Sequence, residues 1–140
     1  MNTPVQLGAL ARDHRKALAM TQENVAGMAG VSIKALMEFE GGKPSTETNI
    51  IAGIFNLLGI DAPIICKPSI RAAVVKACRK RLGIDQIDLA GMAGITQRYL
   101  SAIETEKENL RINKLLAVTN ALGIDVLNPG MVAHYYGDHQ

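Results

Sequence analysis

The chain has 140 residues, of which 48% are hydrophobic, and it has no tryptophan, two phenylalanines and three tyrosines, so its core must be mostly aliphatic. The formal net charge of +2 indicates a nucleic-acid partner only if the basic residues are concentrated in one region. Because no apolar run reaches roughly 18 residues and the first four residues do not resemble a signal peptide, we expect a cytoplasmic protein without membrane contact.

The sequence repeats itself 64 positions later. Residues 26–30, Ala-Gly-Met-Ala-Gly, recur at 90–94, and residues 58–61, Leu-Gly-Ile-Asp, recur at 122–125. More than a third of the positions from 15 to 61 carry the same residue 64 positions on. We therefore predict two tandem units, the first copy (residues 1–66) and the second copy (residues 67–128), followed by a tail at 129–140.

In chain order, each copy contains signals for four helices. Apolar residues predict the first helix: Leu7, Leu10, Ala11 and Leu18, then Val74, Val75, Ala77 and Leu82. N-cap residues and closing glycines predict a short second helix, after Thr21 and Asp85, ending at Gly30 and Gly94. Ser32 and Thr96 then cap a third helix. A fourth helix is predicted from about Thr46 to Leu58 and from Arg111 to Leu122. Between the copies, Pro63 and Pro68 exclude a continuous helix.

A short helix, a turn containing glycine and a second short helix are typical of the helix-turn-helix, whose second member enters a DNA major groove. The residues resemble the Cro/repressor (XRE) family at Arg79, Gln86, 94–97, Ile103-Glu104 and 122–124 in the second copy, and at Arg15, Gln22, 30–32 and 42–44 in the first. This resemblance implies an all-α fold of two tandem five-helix lambda-repressor-like domains. Segment 39–45 looks most like the antitoxin branch, whose members repress their own operon and bind a toxin.

The predicted DNA contacts of the second copy lie on and around its third helix. Gln97 can pair with adenine, and Arg98 with guanine or with a phosphate. The other expected contacts are Thr96, Ser101 and Ala102 on that helix and Lys107, Asn109 and Arg111 after it. By resemblance, Gln86 would clamp a phosphate at the start of the second helix. The alternative for Gln97 and Arg98 is that they are simply exposed polar residues at a helix start. For Lys107 and Arg111 the alternative is a solvated charged loop.

The first copy has fewer residues that could form hydrogen bonds to DNA bases. The positions of Gln97 and Arg98 are taken by Ile33 and Lys34, and those of Ser101 and Ala102 by Met37 and Glu38. Its expected DNA contacts are Gln22, Ser32, Ile33, Lys34 and Lys43. An apolar Ile33 beside Met37 also suits a protein partner, so both interpretations stay open. By resemblance, Arg15 with Glu40 and Arg79 with Glu104 form structural ion pairs.

Charge and chemistry favour regulation over catalysis. The first copy has five basic and six acidic side chains, whereas residues 67–140 have ten and seven. We find no phosphate-binding loop, nucleophile elbow or zinc-ligand spacing, so we expect no enzyme, metal or cofactor. Cys66 and Cys78 are interpreted as partly buried reduced thiols. The tail either packs on a domain, mediates dimerisation or is disordered.

Two functions follow. One is a transcriptional regulator in which two domains of one chain, or two chains of a homodimer, span adjacent half-sites of double-stranded DNA. The other is an antitoxin or anti-regulator whose first copy binds a protein.

Overall fold

The computed structural model describes residues 1–107, 109–128 and 130–132, and this part of the chain is all-helical, as predicted. Within these residues there are nine helices: α1 (Pro4–Ala17), α2 (Gln22–Ala29), α3 (Ile33–Glu40), α4 (Thr48–Leu58), α5 (Pro63–Cys66), α6 (Pro68–Arg81), α7 (Gln86–Ala93), α8 (Gln97–Glu104) and α9 (Ile112–Ala121). None of the helices in the described ranges is both long and apolar enough to cross a lipid bilayer.

The predicted starts of α2, α3, α7 and α8 and the predicted ends of α2 and α7 are confirmed. The Thr21 side chain accepts a hydrogen bond from Asn24 N at 3.1 Å, and that of Asp85 accepts one from Asp88 N at 2.8 Å. Ser32 and Thr96 cap α3 and α8 in the same way. After α2 and α7 the chain turns at Gly30 and Gly94, with φ of 72° and 69°. Glycine is favoured there because a Cβ atom strains the left-handed conformation.

The first helix of each copy is shorter than predicted. Leu18 and Leu82 were assigned to its apolar face, but they lie just beyond α1 and α6 and are more than half exposed. The physical reason is the next residue, which is left-handed in both copies, with φ of 55° at Ala19 and 69° at Gly83. This turn ends the helix before its last apolar residue can reach the core.

Equivalent helices of the two copies share their main packing contacts. The first helix contacts the third, and the second contacts both the third and the fourth, in α1–α4 and again in α6–α9. The core is mainly aliphatic, as expected, with one aromatic pair, Phe39 and Phe55, whose ring centroids are 5.9 Å apart. Buried residues of both copies belong to one continuous cluster.

The join between the copies is part of this core. Pro63 and Pro68 each occupy the first turn of a helix, so the prediction that no continuous helix crosses the join is confirmed. The join nevertheless contains the short helix α5, in which Ile64 and Ile65 are fully or almost fully buried. Within the described residues, the second copy has no complete counterpart of α5, although residues 130–132 are helical.

The two copies also meet away from the join. Glu47 and Arg111 form an isolated antiparallel bridge, flanked by hydrogen bonds from Thr48 N to Leu110 O (2.8 Å) and from Ile112 N to Thr46 O (2.9 Å). These contacts bring the loop after α3 against the loop after α8.

Of the predicted tail, the described part packs on the protein. Met131 and Val132 are half-buried against the core, and Asp125 N lies 3.3 Å from Met131 Sδ. Position 129 and residues 133–140 of the predicted tail lie outside the described residues.

Candidate nucleic-acid interface

Helix α8 has a polar, exposed first turn and a buried apolar face. Thr96 Oγ1 accepts a hydrogen bond from Tyr99 N at 3.0 Å, which fixes the start of the helix. Gln97 and Arg98 follow on the first turn and are exposed. Leu100 and Ile103 are fully buried on the opposite side. Ser101 and Ala102, on the next turn, are half-buried.

The end of α8 is fixed by an ion pair with α6. Arg79 Nε and Nη2 donate to the two carboxylate oxygens of Glu104 at 2.9 and 3.0 Å, and Arg79 Nη1 donates to Ile84 O at 3.0 Å. The hydrogen bond to Glu104 raises the pKa of Arg79, against the opposing effect of burial. Gln86 Nε2 also donates to Glu104, at 3.3 Å. Gln86, the predicted phosphate clamp, is therefore half-buried at the start of α7 and hydrogen-bonded to the last residue of α8.

After α8, the predicted contacts Lys107, Asn109 and Arg111 are exposed, as are Thr105 and Glu106 in the same segment. Two side chains that the sequence analysis did not single out hold this loop. Tyr99 Oη accepts a hydrogen bond from Arg111 N at 2.8 Å, and Arg71 Nη2 donates to Lys107 O at 2.7 Å. Both contacts act on the backbone, so they position the loop and leave its exposed side chains available.

Arg71 is a fully buried guanidinium with backbone partners. Besides Lys107 O, it donates to Ile65 O at 2.9 Å and to Ile64 O at 3.4 Å, while its Nε has no hydrogen-bond partner. Burial lowers the pKa of Arg71. A signal for this residue existed in the repeat, because the equivalent position of the first copy is the buried Leu7. A charged residue at an apolar repeat position indicates a specific role.

The exposed face of α3 differs from that of α8. Ile33 is 43% exposed and Met37 is 53% exposed. Glu38 lies between two lysines, in contact with Lys43 and 3.9 Å from Lys34 Nζ. The hydrogen bond from Lys43 holds the pKa of Glu38 below its ordinary value. Both expected phosphate-binding lysines of the first copy are therefore paired with a carboxylate.

An ion pair at the end of α3 is equivalent to the one at the end of α8. Arg15 Nε and Nη2 donate to Glu40 at 2.8 and 3.0 Å, and this contact raises the pKa of Arg15. Gln22 Nε2 donates to Glu40 Oε1 at 3.2 Å, and the Ser32 side chain accepts from Ala35 N at 3.0 Å. The first copy thus has the same supporting contacts as the second, while the exposed residues of α3 differ from those of α8.

The two cysteines are the remaining candidate groups in the described ranges. Burial raises the pKa of the half-buried Cys66 to about 11, and Cys78 is buried, so both are partly or fully buried thiols outside any disulfide, as interpreted. Among the described residues there is no cluster of three His, Cys, Asp or Glu side chains suited to a metal ion.

Comparisons with known proteins agree with this geometry. A helix-turn-helix family model matches residues 75–127. An uncharacterized HTH-type transcriptional regulator of Sinorhizobium fredii, y4mF, is 32% identical over 65 residues, which are 46% of this chain and 86% of that protein. The immunity repressor protein of Bacillus phage phi105 is 40% identical over 52 residues, 37% of this chain and 36% of that repressor. No solved structure matches. The chain therefore belongs to the XRE-type helix-turn-helix family of DNA-binding regulators.

Proposed function

We propose that this chain is a sequence-specific repressor of an operon or mobile element, and that α8 enters the major groove of its operator. The chain would divide into a first helix-turn-helix domain at 1–66, a second at 67–128 that is the main DNA reader, and a tail at 129–140. The observation that carries the proposal is the exposed pair Gln97 and Arg98 on the first turn of α8. Side chains at this position of a recognition helix contact base edges.

The surroundings of α8 support this role. Thr96 fixes the start of the helix and Glu104 fixes its end, so the reading side chains extend from a rigid support. Lys107, Asn109 and Arg111 are exposed on the adjoining loop, where they would bind phosphates and set the register on the duplex. The excess of basic side chains after residue 66 adds attraction to the backbone. Repression is favoured over activation because one relative is named an immunity repressor.

The experiment is selection of duplexes from a random DNA library, followed by binding measurements over a range of salt concentrations. We expect the protein to enrich one sequence, with affinity that falls linearly on a log-log plot against salt. Three to five phosphate contacts would give a slope of about −3 to −5. Recovery of no preferred sequence, or a slope near zero, would contradict the proposal.

A second candidate function rests on the exposed face of α3. Ile33 and Met37 are two large apolar side chains exposed on α3, and the nearby lysines, Lys34 on the helix and Lys43 after it, are already paired with Glu38. Such a surface suits a protein partner, as in an antitoxin or anti-regulator. This function would make DNA binding by the first copy secondary.

The variant Ile33→Asp distinguishes the two candidate functions. If α3 binds a protein, a partner encoded beside this gene should co-purify with the wild type, and the charge should abolish that association. Lys34→Asp, which places the same residue at the neighbouring, highly exposed position, is the matched control and should weaken the association less. If no neighbouring product co-purifies, the second candidate is wrong.

A further inference from the structure

The contact between the two copies has the register of a two-fold axis. Glu47 pairs with Arg111, and these are equivalent positions, 64 residues apart. The flanking hydrogen bonds, from Thr48 N to Leu110 O and from Ile112 N to Thr46 O, are exchanged with each other when the copies are exchanged. An interface in which residue i contacts j and j contacts i is isologous. The loops of the two copies are therefore related by an approximate two-fold axis between Glu47 and Arg111.

A second pair of contacts extends the same relation. At the start of α1, Asn2 exchanges hydrogen bonds with Asn120 near the end of α9 (3.0 and 2.9 Å), and Val126 N donates to Asn2 Oδ1 at 3.0 Å. On the other side of the axis, α6 follows α5 after one residue, so the chain itself places the start of α6 beside the segment after α4. The contacts of Asn2 with Asn120 and Val126 are therefore the ones that join the bodies of the two copies away from their loops.

The same axis bears on α3 and α8. Helix α3 is separated from Glu47 by residues 41–46, and α8 is separated from Arg111 by residues 105–110, which are segments of equal length in the sequence. Since the two copies share their main packing contacts, we infer that the axis relating the loops also relates α3 to α8. A DNA duplex has local two-fold axes perpendicular to its length, and paired recognition helices match half-sites about one turn apart.

We propose that one chain acts as a complete pseudo-dimer, and that α3 and α8 occupy two half-sites that are inverted relative to each other and unlike in sequence. This inference rests on the proposed function and adds the stoichiometry and layout of the DNA site. A homodimer is not required, because the covalent repeat already supplies both recognition helices.

The unlike half-sites follow from the exposed residues. Gln97 of α8 can form two hydrogen bonds to adenine, whereas Ile33 of α3 offers only an apolar contact, such as with a thymine methyl group. Glu38 adds a negative charge to α3 at the position where α8 has Ala102. A perfectly palindromic operator would therefore place the wrong bases beneath α3.

The test converts the exposed face of α3 into that of α8. The variant carries Ile33→Gln, Lys34→Arg, Met37→Ser and Glu38→Ala, and each replacement is the residue found 64 positions later. All four positions are exposed or half-buried, so we expect the fold to persist. The DNA probes contain the second-copy half-site once, twice inverted or twice direct, with centres about 8–14 base pairs apart to bracket one turn.

We expect the variant to bind the best inverted repeat at least about a hundredfold more tightly than the single half-site, because the two contacts are linked. The direct repeat should give no such gain, and analytical ultracentrifugation should find one chain per inverted repeat. The wild type is the matched control and should gain less from the second half-site. A gain only on direct repeats, no gain on either, or two chains per inverted repeat would overturn the inference.

Two further measurements keep these outcomes interpretable. Circular dichroism and thermal unfolding check the fold of the fourfold variant, and Ile33→Gln with Glu38→Ala replaces it if the fold is lost. If the wild type selects no DNA sequence, the proposed function and this inference both fail. If it selects a site but the variant does not distinguish inverted from direct repeats, this inference alone fails.

Discussion

Replacing Glu104 by alanine should lower the free energy of unfolding by about 3–5 kcal/mol. The Glu104 side chain is 3% exposed and accepts two hydrogen bonds from Arg79, at 2.9 and 3.0 Å. Its removal leaves a guanidinium that is mostly removed from water and keeps only Ile84 O as a partner among these contacts. Gln86 loses a partner at the same time. Urea unfolding followed by circular dichroism measures the change.

The control is Glu23→Ala, which removes an exposed carboxylate from the first turn of α2. We expect it to cost less than about 1 kcal/mol, the usual effect of an exposed charge near a helix start. A double variant, Arg79→Met with Glu104→Leu, should lose less than Glu104→Ala because neither charge remains. Equal stability of Glu104→Ala and Glu23→Ala would mean that the ion pair does not support α8.

The local structure could be predicted because its determinants are close together in the sequence. Thr21 and Asp85 bind backbone amides three residues away, and Gly30 and Gly94 end their helices in the left-handed conformation. The repeat strengthened each of these predictions, since the same signal occurred twice. The prediction is wrong at Leu18 and Leu82, where apolar character predicts helix but a turn follows immediately.

The contacts between the copies could not be predicted in this way. Glu47 and Arg111 meet through backbone atoms, which leave no pattern of side chains in either loop. Arg71 donates to backbone carbonyl groups. No acidic residue in the sequence therefore indicates where its guanidinium lies. The contact of Glu38 with Lys43 depends on how the chain turns after α3. These features decide how α3 and α8 are arranged and how they differ.

Replacing Gln97 and Arg98 together by alanine should reduce affinity for the selected DNA sequence by the largest factor of any surface change. Each bidentate contact to a base contributes roughly 1–3 kcal/mol of discrimination, or about 5- to 150-fold, so the double variant should approach non-specific binding. Both side chains are exposed and their helix is capped by Thr96, so stability should hardly change. Fluorescence anisotropy with the selected and a scrambled duplex measures both affinities.

The matched control is the same pair of substitutions in α3, Ile33→Ala with Lys34→Ala. These residues occupy the equivalent positions, but one is apolar and the other is 3.9 Å from Glu38, so we expect a smaller loss of affinity. If the two double variants lose affinity equally, the assignment of α8 as the main reader is wrong. Retention of sequence preference by the α8 variant would exclude Gln97 and Arg98 as base contacts.

Arg98→Lys distinguishes the two contacts that are open to this side chain. Lysine keeps the positive charge but lacks the planar fork that forms two hydrogen bonds to guanine. If Arg98 reads guanine, the variant should lose preference for that base while its salt dependence stays the same. If Arg98 binds a phosphate, Arg98→Lys should keep both properties, and Arg98→Ala should weaken binding to all sequences and reduce the salt slope by about one. The exposed position of Arg98 on the first turn, one residue from Gln97, favours the guanine contact.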